Sequence, residues 1–249
     1  MRYTDISFLI LKASAYRETS TLVSGFSAEA GRFSMIMKGT RRRKDAPLVQ
    51  PFVLAHVSCV GKGALLTNTK YEVQKRFEFQ GNILSAGFYV LEVLSRSLVE
   101  YQSEPAVYHL SLKTLHELEA IQEHMTDHSR SANNGVQMMA AVASRLRPFE
   151  IRLLDLLGYG VDFLHEAGTG QPITQGEYYA LCPGEGFVAQ PAFSADKEAD
   201  RYPGQVLQDI AQSDYSKIET LNAAQKITHC LLPELVGHEP LLSRSLWST

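Results

Sequence analysis

Four cations stand side by side at Arg41-Arg42-Arg43-Lys44, and no acid interrupts them before Asp45. Adjacent like charges repel, so the run offers a folded chain nothing structural. It suits a polyanion, whose displaced counterions would drive binding. Arg17, Arg32, Lys38, Lys62 and Lys70 lie in the same first third of the chain, with Lys75 and Arg76 close behind. If these share a face with the run, they form a groove that tracks phosphates. The alternative is a solvated loop that aids solubility. Tyr16, Phe33 and Tyr71 are the aromatic residues that could stack on bases, although each suits a core better than a platform.

A second group of cations, Arg145, Arg147 and Arg152, lies among Leu146, Phe149, Ile151, Leu153 and Leu154. Arg145 and Arg152 are seven apart and share a helical face, whereas Arg147 lies well round the helix. Cations beside an apolar groove could hold a short acidic peptide with a hydrophobic end. The competing reading is pairing with nearby carboxylates. His124 and His128 are four apart and could bind a metal on a helix, but a polar loop context and no third ligand weaken that reading. There is no nucleophile elbow, P-loop or HExxH motif, so nothing points to catalysis. Cys59, Cys182 and Cys230 are far apart and lack CxxC spacing, which argues against a disulfide framework or structural zinc. Cys59, in a strand pattern, and Cys230, in a helix pattern, are expected to be buried and inert.

The elements that must carry these residues follow from periodicity. Strands are predicted over 6–13, 19–26, 33–38, 52–60 and 64–79, the last bulged or broken near Glu72. Gly31 serves a tight connection before the third, Gly61-Lys62-Gly63 a hairpin between the last two. Pro47 and Pro51 keep the basic segment extended. Five strands without a confident long helix fit a small closed barrel of the OB type, with an SH3-like barrel as competitor. From residue 81 the period becomes 3.6. Phe88, Leu91, Leu94, Leu98 and Tyr101 share one helical face, and a second helix follows Pro105. After a polar loop over 124–135, a third helix spans 136–157, kinked or broken at Pro148. Residues 158–191 read as loops with a small hairpin, and helices resume over 204–213 and 218–231, Pro233 closing the last. The expected fold is thus α+β with two domains, a barrel over 1–80 and a mainly helical domain over 81–249.

Charge divides the chain in the same place. Residues 1–80 hold thirteen Lys or Arg against six Asp or Glu, and residues 81–249 hold eleven against twenty-one. A basic module joined to an acidic one implies different partners for each. No segment has the length and apolarity of a membrane span, and the N-terminus lacks the pattern of a signal peptide, so a cytoplasmic protein is expected.

Several segments, in order along the chain, resemble the bacterial recombination mediator family RecO. They are YRETSTLVSGFSAEAGR, MKGTRRRK, LVQPF, LRPFEIRLLDLLGYGVDF, GEGF and HEPLLSRSLW. The resemblance implies an N-terminal OB domain, a helical C-terminal domain and a non-enzymatic role in recombinational repair, in the cytoplasm and on the nucleoid. It implies binding of single- and double-stranded DNA and annealing of complementary strands. With the partner RecR, such proteins help RecA load onto strands coated by single-stranded DNA-binding protein (SSB), whose acidic, Phe-ended C-terminal tail they grip. Lys38 and Arg41 to Lys44 match the family's basic stretch, and Arg147 falls on the helix that helps dock the tail. Many members carry a four-cysteine zinc site after LGYG; here FLHEAGTGQPI stands in its place, so no metal and no cofactor are expected. The rival readings are an OB protein for structured RNA, or a small metal-dependent enzyme using His124 and His128.

Overall fold

The computed structural model describes residues 1–41, 48–127, 134–190 and 200–246. Arg42, Arg43, Lys44 and His128 therefore lie outside the described residues. The chain forms two compact units, Met1–Arg130 with Pro240–Thr249, and Ser131–Glu239.

The first unit begins with five strands: β1 (Arg2–Tyr16), β2 (Ser20–Ser27), β3 (Gly31–Met37), β4 (Val53–Val60) and β5 (Leu65–Arg76). They close into a barrel of order β1-β2-β3-β5-β4, in which β3 and β5 run parallel. That order is the five-stranded OB arrangement and settles the choice against the SH3-like competitor. Alternation places Phe33, Met35 and Met37 inside with Phe8, Ile10, Val23, Val53, Val57, Cys59 and Leu66. The register of β5 against β4 shifts beside Gln74 and beside Thr69, so the strand is bulged on both sides of Glu72 and continues through it. β1 also starts earlier and ends later than its alternation suggests, because its first half pairs with β4 and its second half with β2.

Phe8, Leu9, Ile10 and Leu11 are all buried, although a strand exposes alternate residues to opposite faces. The outer face here is covered as well. Helix α1 (Gly81–Ser97) and helix α2 (Pro105–Asp127) belong to the same unit as the barrel. Tyr108 packs edge-on against Phe26 and donates its hydroxyl to Ser7 at 2.9 Å. The expected boundary at residue 80 thus marks where the barrel ends, while the compact unit continues through both helices. Tyr101 lies beyond α1, in the connector to α2. Its ring is stacked on Phe33 with centroids 6.3 Å apart, its hydroxyl donates to Ala64 O at 2.6 Å, and its N–H donates to Arg32 O at 2.9 Å. The chain's last described stretch returns to this unit as a 3₁₀ turn, Leu242–Leu246. Glu92 accepts the N–H groups of Leu242 at 2.9 Å and Ser243 at 2.8 Å. Burial works against ionising Glu92, but the Ser243 and Leu242 donors and Arg96 hold its carboxyl below its usual value.

In the second unit, helix α3 (Asn134–Leu156) runs unbroken through Pro148. Val142, Leu146, Phe149, Leu153 and Leu154 are buried along it, and that packing outweighs the backbone bond lost at proline. The hairpin β6 (Tyr178–Cys182) and β7 (Gly186–Gln190) turns through the GEGF segment, with the short β8 (Arg201–Pro203) beside β6. Helices α4 (Gly204–Ala211) and α5 (Ile218–Val236) complete it, and α5 continues past Pro233 to a C-cap at Gly237. Cys59 is buried, and burial pushes its thiol up to about 11. Cys230 is exposed, contrary to expectation, because α5 buries Ala224, Ile227, Thr228 and Leu231 and position 230 falls off that face.

Gly31 tests how the connector is seated. It has a φ of 70°, and an added Cβ would overlap the Gln102 backbone. Gly31→Ala is expected to destabilise the protein by about 2 kcal/mol or more, from strain and displacement of the connector together. Urea unfolding followed by circular dichroism would check this.

Candidate nucleic-acid interface

The barrel sorts its cations into paired and available ones. Arg32 donates from Nε to Leu98 O at 2.9 Å and faces Glu100 at 3.3 Å, so it ties β3 to the α1–α2 connector. Lys70 lies 3.3 Å from Asp5 and 3.6 Å from Glu72; the Asp5 hydrogen bond, with both carboxylates, pushes its ammonium pKa up. Lys75 is 2.7 Å from Glu119, and Arg76 is 3.3 Å from Glu78. Two of these acids, Glu100 and Glu119, come from beyond residue 80, so the helical cover offsets part of the barrel's formal charge.

Arg17, Lys38 and Arg41 remain exposed, and the fold brings them to one end of the barrel. Arg17 occupies the β1–β2 turn with a φ of 52°. Arg41 reaches the same turn, its N–H donating to Thr19 O at 3.1 Å and its guanidinium to Arg17 O at 3.2 Å. The Thr21 and Thr40 hydroxyls bond at 2.8 Å beside them. Arg41, the first residue of the basic run, therefore stands at the same mouth as Arg17 and Lys38. Lys62 is exposed in the β4–β5 hairpin, three residues before Leu65, which pairs with Ser34 in the middle of β3, the two strands running parallel. The barrel thus carries cations at both ends of β3.

Lys12 was missed by residue patterns because it closes an apolar run. It is exposed and pairs with Ser24, which pairs with Ser34, placing it on the outer face of β1, β2 and β3. The expected aromatic platforms are engaged elsewhere. Phe33 is in the core, Tyr71 donates its hydroxyl to Leu48 O at 2.6 Å, and Arg17 sits 5.3 Å above the Tyr16 ring.

The helical unit holds the second arginine group. Arg147 lies 2.9 Å from Glu150, whose side chain is wholly buried, and donates to Thr228 Oγ1 at 3.3 Å. Thr228 donates in turn to Glu150 at 2.8 Å, so the three groups lock α3 to α5. An arginine committed in this way is poorly placed to meet a peptide carboxylate. Arg145 and Arg152 are exposed, and Arg152 pairs with Asp155. Arg152 also lines a cavity of about 540 Å³ formed by Ile151, Leu154, Phe163, Leu164, Tyr215 and neighbours. Burial, reinforced by Glu150, pushes the Tyr215 hydroxyl up to about 12, so it faces this cavity as a neutral group. The cavity draws on three separate stretches of the chain, and its one signal in the sequence is the LGYGVDF segment.

In the loop after the LGYG segment, Asp162 accepts the N–H groups of Leu164 at 2.7 Å and His165 at 3.2 Å. Glu166 accepts the Thr169 hydroxyl at 2.7 Å and Ala189 N–H at 2.8 Å. Carboxylates hold this loop by hydrogen bonds. Among the described residues no three His, Cys, Asp or Glu side chains gather as a metal site, and no helix is long and apolar enough to cross a membrane. His124 is exposed near the end of α2, which extends through Asp127 into the stretch expected to be loop.

Arg147→Glu would set a second carboxylate against buried Glu150. A loss of about 3–5 kcal/mol in unfolding free energy is expected, whereas Arg152→Glu, at an exposed pair, should cost under about 1 kcal/mol. Urea titrations of the two variants side by side measure the contrast.

Comparison with known proteins places these features. Residues 1–77 match the model for the N-terminal part of recombination protein O, and residues 137–245 match that for its C-terminal part. A DNA repair protein RecO from Pseudoalteromonas atlantica is 34% identical over 99% of this chain and 95% of its own length. Those from Mannheimia succiniciproducens and Haemophilus influenzae are 32% and 34% identical, each over 96% of this chain and 97% and 93% of their own lengths. An OB barrel with exposed cations, a helical second unit, and matches across nearly the whole length lead to one assignment: the chain belongs to the RecO family of DNA repair proteins.

Proposed function

We propose that the protein is a non-enzymatic recombination mediator that binds single- and double-stranded DNA and anneals complementary strands. With RecR, it helps RecA load onto SSB-coated DNA. The observation that carries this reading is the gathering of Arg17, Lys38 and Arg41 at one mouth of an OB barrel, where the basic run begins. Exposed cations there lower the repulsion between two phosphate backbones and allow them to approach. The contacts are to phosphate, so they carry no base information.

The helical unit supplies the hold on SSB. A tail with several carboxylates and a terminal Phe needs an apolar cavity with a cation at its rim. The cavity beside Arg152 meets both needs, and Arg145 stands two helical turns earlier on the same face. Arg147 supports this site from behind, by fastening α3 to α5. The protein acts in the cytoplasm, on the nucleoid.

Changing Arg41, Arg42, Arg43 and Lys44 together to Ala is expected to weaken binding of all DNA sequences alike. If all four meet single-stranded phosphates, the slope of log affinity against log salt flattens by roughly 3. An unchanged slope in a salt titration by fluorescence anisotropy would show a merely solvated loop.

Annealing of complementary oligonucleotides, naked or precoated with SSB, tests the whole reading. Annealing of coated strands should fall when the SSB tail is deleted or when Arg152 is changed to Glu, while naked strands anneal as before. Equal rates in every arm would show that the tail and this cavity play no part.

A further inference from the structure

The outer face of the barrel is built from two cross-strand rows. One is Lys12, Ser24, Ser34 and Leu65; the other is Ser14, Leu22, Ile36 and Thr67. Their side chains are short hydroxyls, aliphatic groups and a single lysine, none with a π-face. Tyr16, two residues beyond Ser14 on the same strand face, is half-buried with Arg17 5.3 Å above its ring, and Phe26 is buried against Tyr108. Phe8 and Phe33 lie in the barrel's core with centroids 4.6 Å apart, and Tyr3 and Tyr101 each stack on Phe33. Proteins that hold a single strand by its bases need exposed rings, each stacked base contributing strongly to affinity. This face offers cations instead: Arg17, Lys38 and Arg41 at one end of β3, Lys12 across its middle and Lys62 at the other end.

We infer that the barrel takes a single strand by its sugar–phosphate backbone across β1, β2, β3 and the start of β5, and leaves the bases unstacked from protein and open to pairing. The inference rests on the DNA-binding reading above and specifies the ligand as a polyphosphate chain, with bases dispensable. It also explains how one surface could both hold a strand and release its bases to a complement. Stacked bases would have to be peeled from their platforms first, while backbone contacts can persist as the duplex zips.

The test compares an intact oligonucleotide with an abasic one of equal length, by anisotropy at several salt concentrations. The two should bind the whole protein within about threefold of each other, with the same salt slope. Lys12→Ala should weaken both alike and flatten each slope by about 0.7. Ile36→Trp adds a ring to the exposed side of β3, so it should favour the intact strand over the abasic one by about fivefold or more and slow annealing. A tenfold or larger preference of the unaltered protein for the intact strand overturns the inference while leaving DNA binding in place. An unchanged slope in Lys12→Ala, or no discrimination by Ile36→Trp, shows that the strand does not cross this face. Failure of both oligonucleotides to bind would overturn the DNA-binding reading itself, and the inference with it.

Discussion

The first unit depends on the way the connector between α1 and α2 closes the barrel. Tyr101 is held in place by stacking on Phe33 and by two backbone bonds, its N–H to Arg32 O and its hydroxyl to Ala64 O. Arg32 answers with its own bond to Leu98 O and an ion pair to Glu100. Ser103 donates to Ala28 O at 2.7 Å, and Gly31 leaves room for Gln102. A small barrel has little interior to bury, and this contact extends its core into a helical layer. Through it, helices that periodicity alone would group with the second half of the chain become part of the barrel's own unit.

The same closure decides which charges are available. A high count of basic residues gives a favourable long-range field, but local contacts depend on cations without carboxylate partners. Arg32, Lys70, Lys75 and Arg76 are committed to acids, two of them supplied by the helical cover. Among the described residues, Arg17, Lys38, Arg41 and Lys12 stand exposed on the side of the barrel built from β1, β2 and β3, with Lys62 in the β4–β5 hairpin. Spacing along a strand-like path suits a flexible polyanion better than a compact one.

In the second unit, two arginines five residues apart on one helix have opposite fates. Arg147 is enclosed by Glu150 of its own helix and Thr228 of α5; burying that charge requires its partners, and removing one would leave the other uncompensated in a low-dielectric interior. Arg152 faces the cavity and solvent, with only the exposed Asp155 beside it. An incoming carboxylate can replace Asp155 at little cost, since exposed pairs contribute little. One helix thus holds the same residue type in a buried structural pair on one face and at an exposed cavity rim on another.

The sequence by itself determined the order and type of nearly all elements, since alternation and 3.6-residue periodicity are local properties set by burial of one face. It also determined the basic run and the family, whose motifs lie in order along the chain. It misjudged where helices end: Pro148 and Pro233 lie inside helices because buried neighbours compensate for the lost bonds. It could not assign the partners of each cation, since Arg32 meets Glu100 and Lys75 meets Glu119 across long stretches of chain. Nor could it show that Lys12 shares a face with Ser24 and Ser34, or that Arg152 and Tyr215 line one cavity. Those are facts of register and packing, which arise only when distant segments meet, and they decide which of the residues visible in the sequence are free to act.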